Sequence, residues 1–294
     1  MGRGAAPKSA REHVLAAEIR FDAAGLVFGH GTDNARDEAV FLVFDALSLP
    51  FISNDAALDR VLTGAENSAV SRLIDERIES RKPAAYLTRH MGFAGHDFYV
   101  DERVLVPRSP IAELINSEFH PWLDARKVKR VLEIGTGSGC IAIATALALP
   151  HVSVDATDIS PDALVVAERN RARFAQVSHR VRFIEADLFP ESNEPYDLII
   201  TNPPYVPSDE CAQLPAEYMH EPSLALDAGA DGLALVRRIA AGAAQHLTTG
   251  GHLVIDVGEM ASVVEREIST VNFTWVDLLH GGAGIGVARR NDFT

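Results

Sequence analysis

Cysteine is nearly missing from this 294-residue chain, which has two, Cys140 and Cys211. They share no CxxC spacing, which excludes a disulfide framework and a cysteine zinc site and favours a reducing compartment, the cytoplasm. No apolar run approaches the roughly 20 residues of a membrane span, so no membrane association is expected. Met1–Lys8 has no apolar core, so no secretory signal is expected there; Ala6 breaks the usual myristoylation pattern, and these residues read as a frayed tail. Eleven histidines are present, yet none stands in an HExxH or His-Cys spacing, so no metal is expected. Basic charge is scarce: 27 Lys+Arg face 41 Asp+Glu, a net charge of −14. Residues 1–90 are almost balanced, 11 against 13, so the acidity lies in the remainder of the chain. Such a surface is a poor match for a phosphate backbone and a better one for a basic protein. Direct DNA binding is therefore not expected.

What is present is ample apolar material, 47% of the chain, and a clear change of pattern along it. Residues 1–85 read as helices. Val40, Phe41, Phe44 and Leu47 share one helical face, with Asn34 or Asp33 as the cap and Pro50 beyond the end. Val70, Leu73, Ile74 and Ile78 form a second stripe, stopped by Pro83. Weaker helices span about His13–Ala24 and Asp55–Leu62. The region is either a structural cap or a docking module for a macromolecular substrate. Residues 86–124 read as a connector: strands Gly92–Val100 and Arg103–Val106 around an Asp101-Glu102 turn, then a helix through Ile111 with Ser109 as cap. From residue 125 to 294 strand and helix alternate, which predicts an α/β fold with a parallel sheet covered on both faces. The last two strands, Phe273–Leu279 and Gly284–Arg289, are joined through Gly281-Gly282 as an antiparallel hairpin.

Two runs in this last region carry chemistry. Glu133-Ile-Gly135-Thr136-Gly137-Ser138-Gly139 follows a strand and opens a helix. Glycines there let the backbone turn tightly and let a ligand approach closely. The spacing is GxGxG, not the GxGxxG of dinucleotide sites, and no P-loop lysine accompanies it. Asp158, with Ile159 after it, ends the next strand, where a carboxylate can accept ribose hydroxyls. Asp187-Leu188 ends the following one, where an acid can meet an adenine amine and an apolar side chain can cover its ring. Open parallel sheets bind ligands at these strand ends. Taken singly, each is a tight turn, a helix cap or a loop acid; together they indicate a nucleotide-like cofactor, NAD or S-adenosylmethionine. The second run, Leu198-Ile-Ile-Thr-Asn202-Pro203-Pro204-Tyr205, is a buried strand stopped by two prolines that cannot continue a ladder. An amide, proline carbonyls and an aromatic ring make a cradle for a planar group bearing an NH2. With the terminal hairpin, that cradle favours S-adenosylmethionine.

Gly135–Gly139 with Asn202–Tyr205 resembles the HemK/PrmC/PrmB class of protein-glutamine methyltransferases, and the resemblance covers nearly the whole chain. It implies a Rossmann-like class I methyltransferase sheet behind a small helical domain. It further implies methylation of a glutamine side-chain amide with S-adenosylmethionine. By the same resemblance, Gly135–Gly139, Asp158 and Asn202 contact the cofactor, and Asn202–Tyr205 bind the substrate glutamine. Val106-Pro-Arg-Ser-Pro-Ile111 departs from the release-factor branch and is similar to the branch acting on large-subunit ribosomal protein three. Glu217–Pro222 and Ala228–Leu233 also resemble that branch. The implied partner is that basic protein, free or in an early ribosomal assembly particle, with a release factor as the alternative. A nucleic-acid adenine methyltransferase would use the same cradle on a flipped base. Arg108 either holds substrate backbone or ties the connector to the sheet. Glu221 reads as loop-ordering, Tyr218 and His220 as groove residues, and Glu113 has no firm role.

Overall fold

The computed structural model describes residues 9–49, 55–192, 194–279 and 282–294. The expected tail Met1–Lys8, Pro50 and Gly281 lie outside the described residues. The chain divides into two compact units, one running to Gly92 and taking in Pro215–His220, the other formed by Phe93–Leu214 and Glu221–Thr294. The chain first passes from one to the other at Gly92–Phe93 and crosses again on either side of Pro215–His220.

The first unit holds α1 (Ala10–Ala23), α2 (Ala35–Ala46), α3 (Asp55–Leu58), α4 (Gly64–Ser80) and α5 (Ala84–Thr88). The starts of α1, α2 and α4 are set by side chains that accept otherwise unpaired N–H groups. Ser9 and Thr63 form capping boxes with Glu12 and Glu66, and Asn34 accepts from Asp37. Val14, Phe21, Leu42, Phe44, Val70 and Ile74 are buried in one core. Charge is buried in this unit beside the hydrocarbon. Arg77 Nε donates to Glu38 Oε1 at 2.7 Å, with the two side chains 0% and 1% exposed. Glu217 Oε1 accepts from Arg81 and from the Val27 N–H, both at 3.1 Å.

Then come β1 (His90–Phe93) and β2 (His96–Tyr99), a two-stranded sheet, and α6 (Ile111–Asn116). The turn between the strands is Ala94-Gly95, with φ of 48° and 80°, not Asp101-Glu102 as the alternation suggests. Alanine is an uncommon left-handed residue, so the turn carries a weak sequence signal. Arg103–Val106 is consequently not a strand. Asp101 takes over there, accepting from Arg103 N–H and guanidinium and from the Tyr99 hydroxyl. Burial tends to raise its carboxyl, and those bonds overcome it, holding it at about 2.

The remaining elements alternate: β3 (Arg130–Ile134), α7 (Cys140–Ala148), β4 (Ser153–Asp158), α8 (Pro161–Arg173), β5 (Val181–Glu185), β6 (Tyr196–Thr201), α9 (Ser208–Cys211), α10 (Ala234–His246), β7 (Leu247–Asp256), α11 (Ala261–Glu267), β8 (Thr274–Trp275) and β9 (Ile285–Arg289). The sheet order is β5-β4-β3-β6-β7-β9-β8. All pairs are parallel except those made by β9, so the expected antiparallel end is present. Helices cover the central strands, and Val131, Leu132, Leu198, Ile199, Ile200, Leu253 and Val254 are fully buried. Each such side chain contributes about 1.5–3 kcal/mol on leaving water. Register places the chemistry. Ile134 pairs with Thr157 and Thr201, and Thr201 with Ile255. The next residues, Gly135, Asp158, Asn202 and Asp256, therefore line up at or just past the carboxyl ends of their strands, along one edge of the sheet.

Candidate active site

Along that edge lies a cavity of about 370 Å3, within the roughly 300–1,000 Å3 of small-molecule sites. Its wall includes Glu133, Gly135, Thr136, Gly137 and Ser138 from the glycine loop, and Asp158, Ile159, Asp187 and Leu188 from the next two strand ends. Asn202, Pro203 and Pro204 complete it, with Arg108 and Ser109 from the segment before α6. Two expected site residues are not on this wall. Gly139 instead starts α7 at φ 79°, where a Cβ would strike the Phe183 ring at 2.8 Å. Tyr205 stands just beyond Pro204, with its ring against Gly258.

The glycine loop is held from beneath. Glu133 Oε2 accepts from the Thr136 hydroxyl at 2.6 Å and from the Ala142 N–H at 2.9 Å. Asp158 accepts from the Gly137 N–H at 2.8 Å and the Ser160 N–H at 2.9 Å. Burial pushes Glu133 up to about 8; the two hydrogen bonds oppose this and Asp158 adds to it. Burial likewise raises Asp158, against its backbone N–H donors. Burial and then Glu133 push Cys140 up to about 12, which removes it as a nucleophile.

The shift of Glu133 makes a pH prediction. Its carboxyl holds a proton up to about 8 in the fold but only to about 4.5 in the unfolded chain. Its stabilising contribution is full below 4.5 and is lost as pH rises to about 8. Glu133→Gln keeps both acceptor bonds without the charge. Wild-type stability should fall relative to this variant by a few kcal/mol across that window, at roughly 1.4 kcal/mol per unit. Urea denaturation of both proteins at about pH 5 and about pH 8.5 measures it; parallel pH profiles would contradict it.

At the far end of the wall Asp187 accepts from Arg238 at 2.8 Å, and this bond draws its carboxyl down. Leu188 takes φ 70°, uncommon for leucine, and its carbonyl accepts from the Thr157 hydroxyl at 2.6 Å. Arg108 is committed to a two-pronged pair with Glu221, at 2.6 and 2.8 Å, and Glu221 also accepts from the Val106 N–H. These bonds join the segment before α6 to Glu221, and Arg108 stays on the cavity wall. Tyr218 and His220 belong to the helical unit, where the Tyr218 ring lies 4.3 Å from that of His30 and His220 Nε2 lies 3.0 Å from the Ser80 carbonyl oxygen. Neither is on the cavity wall. Glu113 accepts from the Leu279 N–H, a bond within the sheet unit.

Sequence reading missed Asp256. It is buried at the end of β7 and accepts from the Ser109 hydroxyl at 2.7 Å and from the Gly258 N–H at 3.0 Å. Its signal was a strand-end acid in register with Asn202. Asp256 reaches the wall only through Ser109, whereas Phe93, Val104 and Leu224 lie on it, show no local pattern and are brought there only by the fold.

The cavity suits S-adenosylmethionine. Gly135 and Gly137 have φ of 73° and 53°, and a Cβ on either meets open space, so their backbone is accessible to a ligand. The Asn202 side-chain amide has no protein partner among the described residues.

The methyltransferase small domain family matches residues 119–229. The ribosomal protein uL3 glutamine methyltransferase of Xanthomonas campestris is 48% identical over 90% of this chain and 86% of its own. That of Burkholderia pseudomallei is 44% identical over 95% and 93%. Among solved structures, the hMettl16 catalytic domain in complex with a MAT2A 3′UTR hairpin covers 79% of this chain and 84% of its own at a TM-score of 0.50. At 16% identity it supports the fold alone. Among the described residues no helix is long and apolar enough to cross a membrane. With the strand-end cavity in place and near-full-length identity to proteins of that name, the chain belongs to the ribosomal protein uL3 glutamine methyltransferase family.

Proposed function

We propose that this protein transfers a methyl group from S-adenosylmethionine to the side-chain amide nitrogen of a glutamine in ribosomal protein uL3. The observation that carries the reading is the Asn202 amide, without a protein partner among the described residues, beside Pro203 on the wall shared with the glycine loop. When bound, S-adenosylmethionine supplies an electrophilic methyl group. Gly135–Ser138, Asp158, Ile159, Asp187 and Leu188 are the residues we assign to holding it, with Glu133 and Gly139 shaping their loop.

The difficulty of the reaction lies with the nucleophile. An amide nitrogen shares its lone pair with its carbonyl. The Asn202 side-chain oxygen and the Pro203 carbonyl accept the two N–H bonds of the glutamine amide. That raises electron density on nitrogen and fixes its direction. Tyr205 stacks on the flat amide. No base is required at the outset: the nitrogen would gain the methyl group as the methyl–sulfur bond breaks, and the methylated nitrogen, now strongly acidic, would give its proton to solvent water. Alignment of this kind contributes on the order of 7–11 kcal/mol, with fixed dipoles adding to it.

The acidic balance of the chain suits a basic protein substrate, and we assign the helical unit to docking it, in the cytoplasm, as free uL3 or in an early assembly particle. Intact-mass measurement after incubation with S-adenosylmethionine and uL3, and separately with a release factor, tests the reading. One methyl group gained on a uL3 glutamine is the expected result. A gain on the release factor alone would keep the chemistry and overturn the partner. Transfer to a DNA or RNA adenine instead would overturn both.

A further inference from the structure

Tyr205 is pinned between two glycines. Its carbonyl oxygen would lie 2.6 Å from a Cβ at Gly232, and its Cζ, Cε2 and hydroxyl oxygen 2.9–3.0 Å from a Cβ at Gly258. Both glycines have positive φ, 72° and 50°. The backbone on either side of the tyrosine is also fixed. Pro204 precedes it, and Val206 after it donates to the Leu226 carbonyl at 3.0 Å and accepts from Ala228 at 2.9 Å. The ring itself rests on Gly258.

Gly258 is itself gripped. Its N–H donates to Asp256 Oδ1 at 3.0 Å. Its carbonyl oxygen occupies the space where a side chain on Gly284 would stand, 1.9 Å from such a Cβ. The Val257 N–H donates to the Gly284 carbonyl at 2.9 Å. The other oxygen of Asp256 accepts from Ser109, on the cavity wall. One carboxylate thus ties the surface behind the tyrosine ring to the cavity.

We infer that Gly258, anchored by Asp256, is a positioning residue that sets where the Tyr205 ring meets the substrate glutamine, with Gly232 seating the tyrosine backbone. This rests on the methyl-transfer reading above. A ring displaced by one methyl group meets the amide badly, while the cofactor wall, which Tyr205 does not join, is untouched. Gly258→Ala should lower kcat/KM for uL3 about tenfold or more, through a raised KM together with a lower kcat. Affinity for S-adenosylmethionine, by calorimetry, should stay within about twofold of wild type. In a Tyr205→Ala background the same substitution should change neither constant, because no ring is left to move. With 3-fluorotyrosine at the five tyrosines, the fluorine resonance lost in Tyr205→Phe should shift in Gly258→Ala.

Equal losses in both backgrounds, or an unmoved resonance, would overturn the inference. Should Gly258→Ala fail to fold, Asp256→Ala removes the anchor without adding bulk. It should raise KM likewise, and Asp256→Asn, which keeps an acceptor for the Gly258 N–H, should restore it. A wild-type KM in Asp256→Ala would also overturn the inference. A wild-type protein that leaves uL3 unmodified refutes the methylation reading instead, and the fluorine shift still decides whether Gly258 places the ring.

Discussion

Asn202→Ala is expected to lower kcat on the order of 100- to 1,000-fold, the scale seen when one preorganised hydrogen-bonding group is removed from a site of developing charge. The substitution should leave the fold nearly unchanged. Asn202 follows the last residue of β6, and its side chain has no partner among the described residues to lose. Its neighbour Thr201 anchors the strand end separately, donating to the Ile134 carbonyl at 2.9 Å. Thermal midpoint and S-adenosylmethionine affinity should therefore stay close to wild type while turnover on uL3 collapses. The loss should appear in kcat more than in KM, because acceptance of both N–H bonds matters most as the nitrogen takes up the methyl group. Turnover near wild type would refute the mechanism; turnover and cofactor affinity lost in equal measure would mean that Asn202 serves the cofactor alone.

Strand-end residues were the legible part of this protein. The glycine loop, Asp158, Asp187 and Asn202 each follow a short β-branched run, and parallel register alone brings such ends to one edge. The central sheet was readable for the same reason, since buried parallel strands are near-continuous apolar runs. The hairpin at β1 and β2 was misplaced because its turn depends on an alanine in a glycine-like conformation, and period-two alternation continued past it. The pairing of Asp256 with Ser109 spans 147 positions, and that of Glu221 with Arg108 spans 113. No local pattern encodes bonds of that separation. Tyr205 was visible as an aromatic residue after two prolines, but not its seat: Gly232 and Gly258 look like ordinary loop glycines until the tyrosine carbonyl is placed on the first and its ring on the second.

Arg77→Ala is expected to cost the helical unit about 3–5 kcal/mol, the usual penalty for stripping one partner from a buried ion pair. Arg77 lies wholly within this unit, donating to Glu38 at 2.7 Å and to the Val27 carbonyl at 3.2 Å. Its Nη1 also stands 3.8 Å from Glu217 Oε1. Glu38 already has its carboxyl raised by burial, with Arg77 and the Thr32 hydroxyl opposing the rise. Without Arg77 that opposition weakens, and the carboxyl must either stay charged in hydrocarbon or take up a proton. The sign follows. A higher folded-state pKa means stability present at low pH and lost as pH rises, so the variant's deficit should be larger at about pH 8 than at about pH 5. Native-state hydrogen exchange of the α4 amides reads this unit apart from the sheet unit. Replacing both partners, as Glu38→Leu with Arg77→Met, should recover most of the loss, since a packed apolar pair often matches a buried ionic one. A single variant within about 1 kcal/mol of wild type would show that the pair is solvated in solution. A double variant as unstable as the single would place the cost in Val27 and Glu217, the other groups that Arg77 serves.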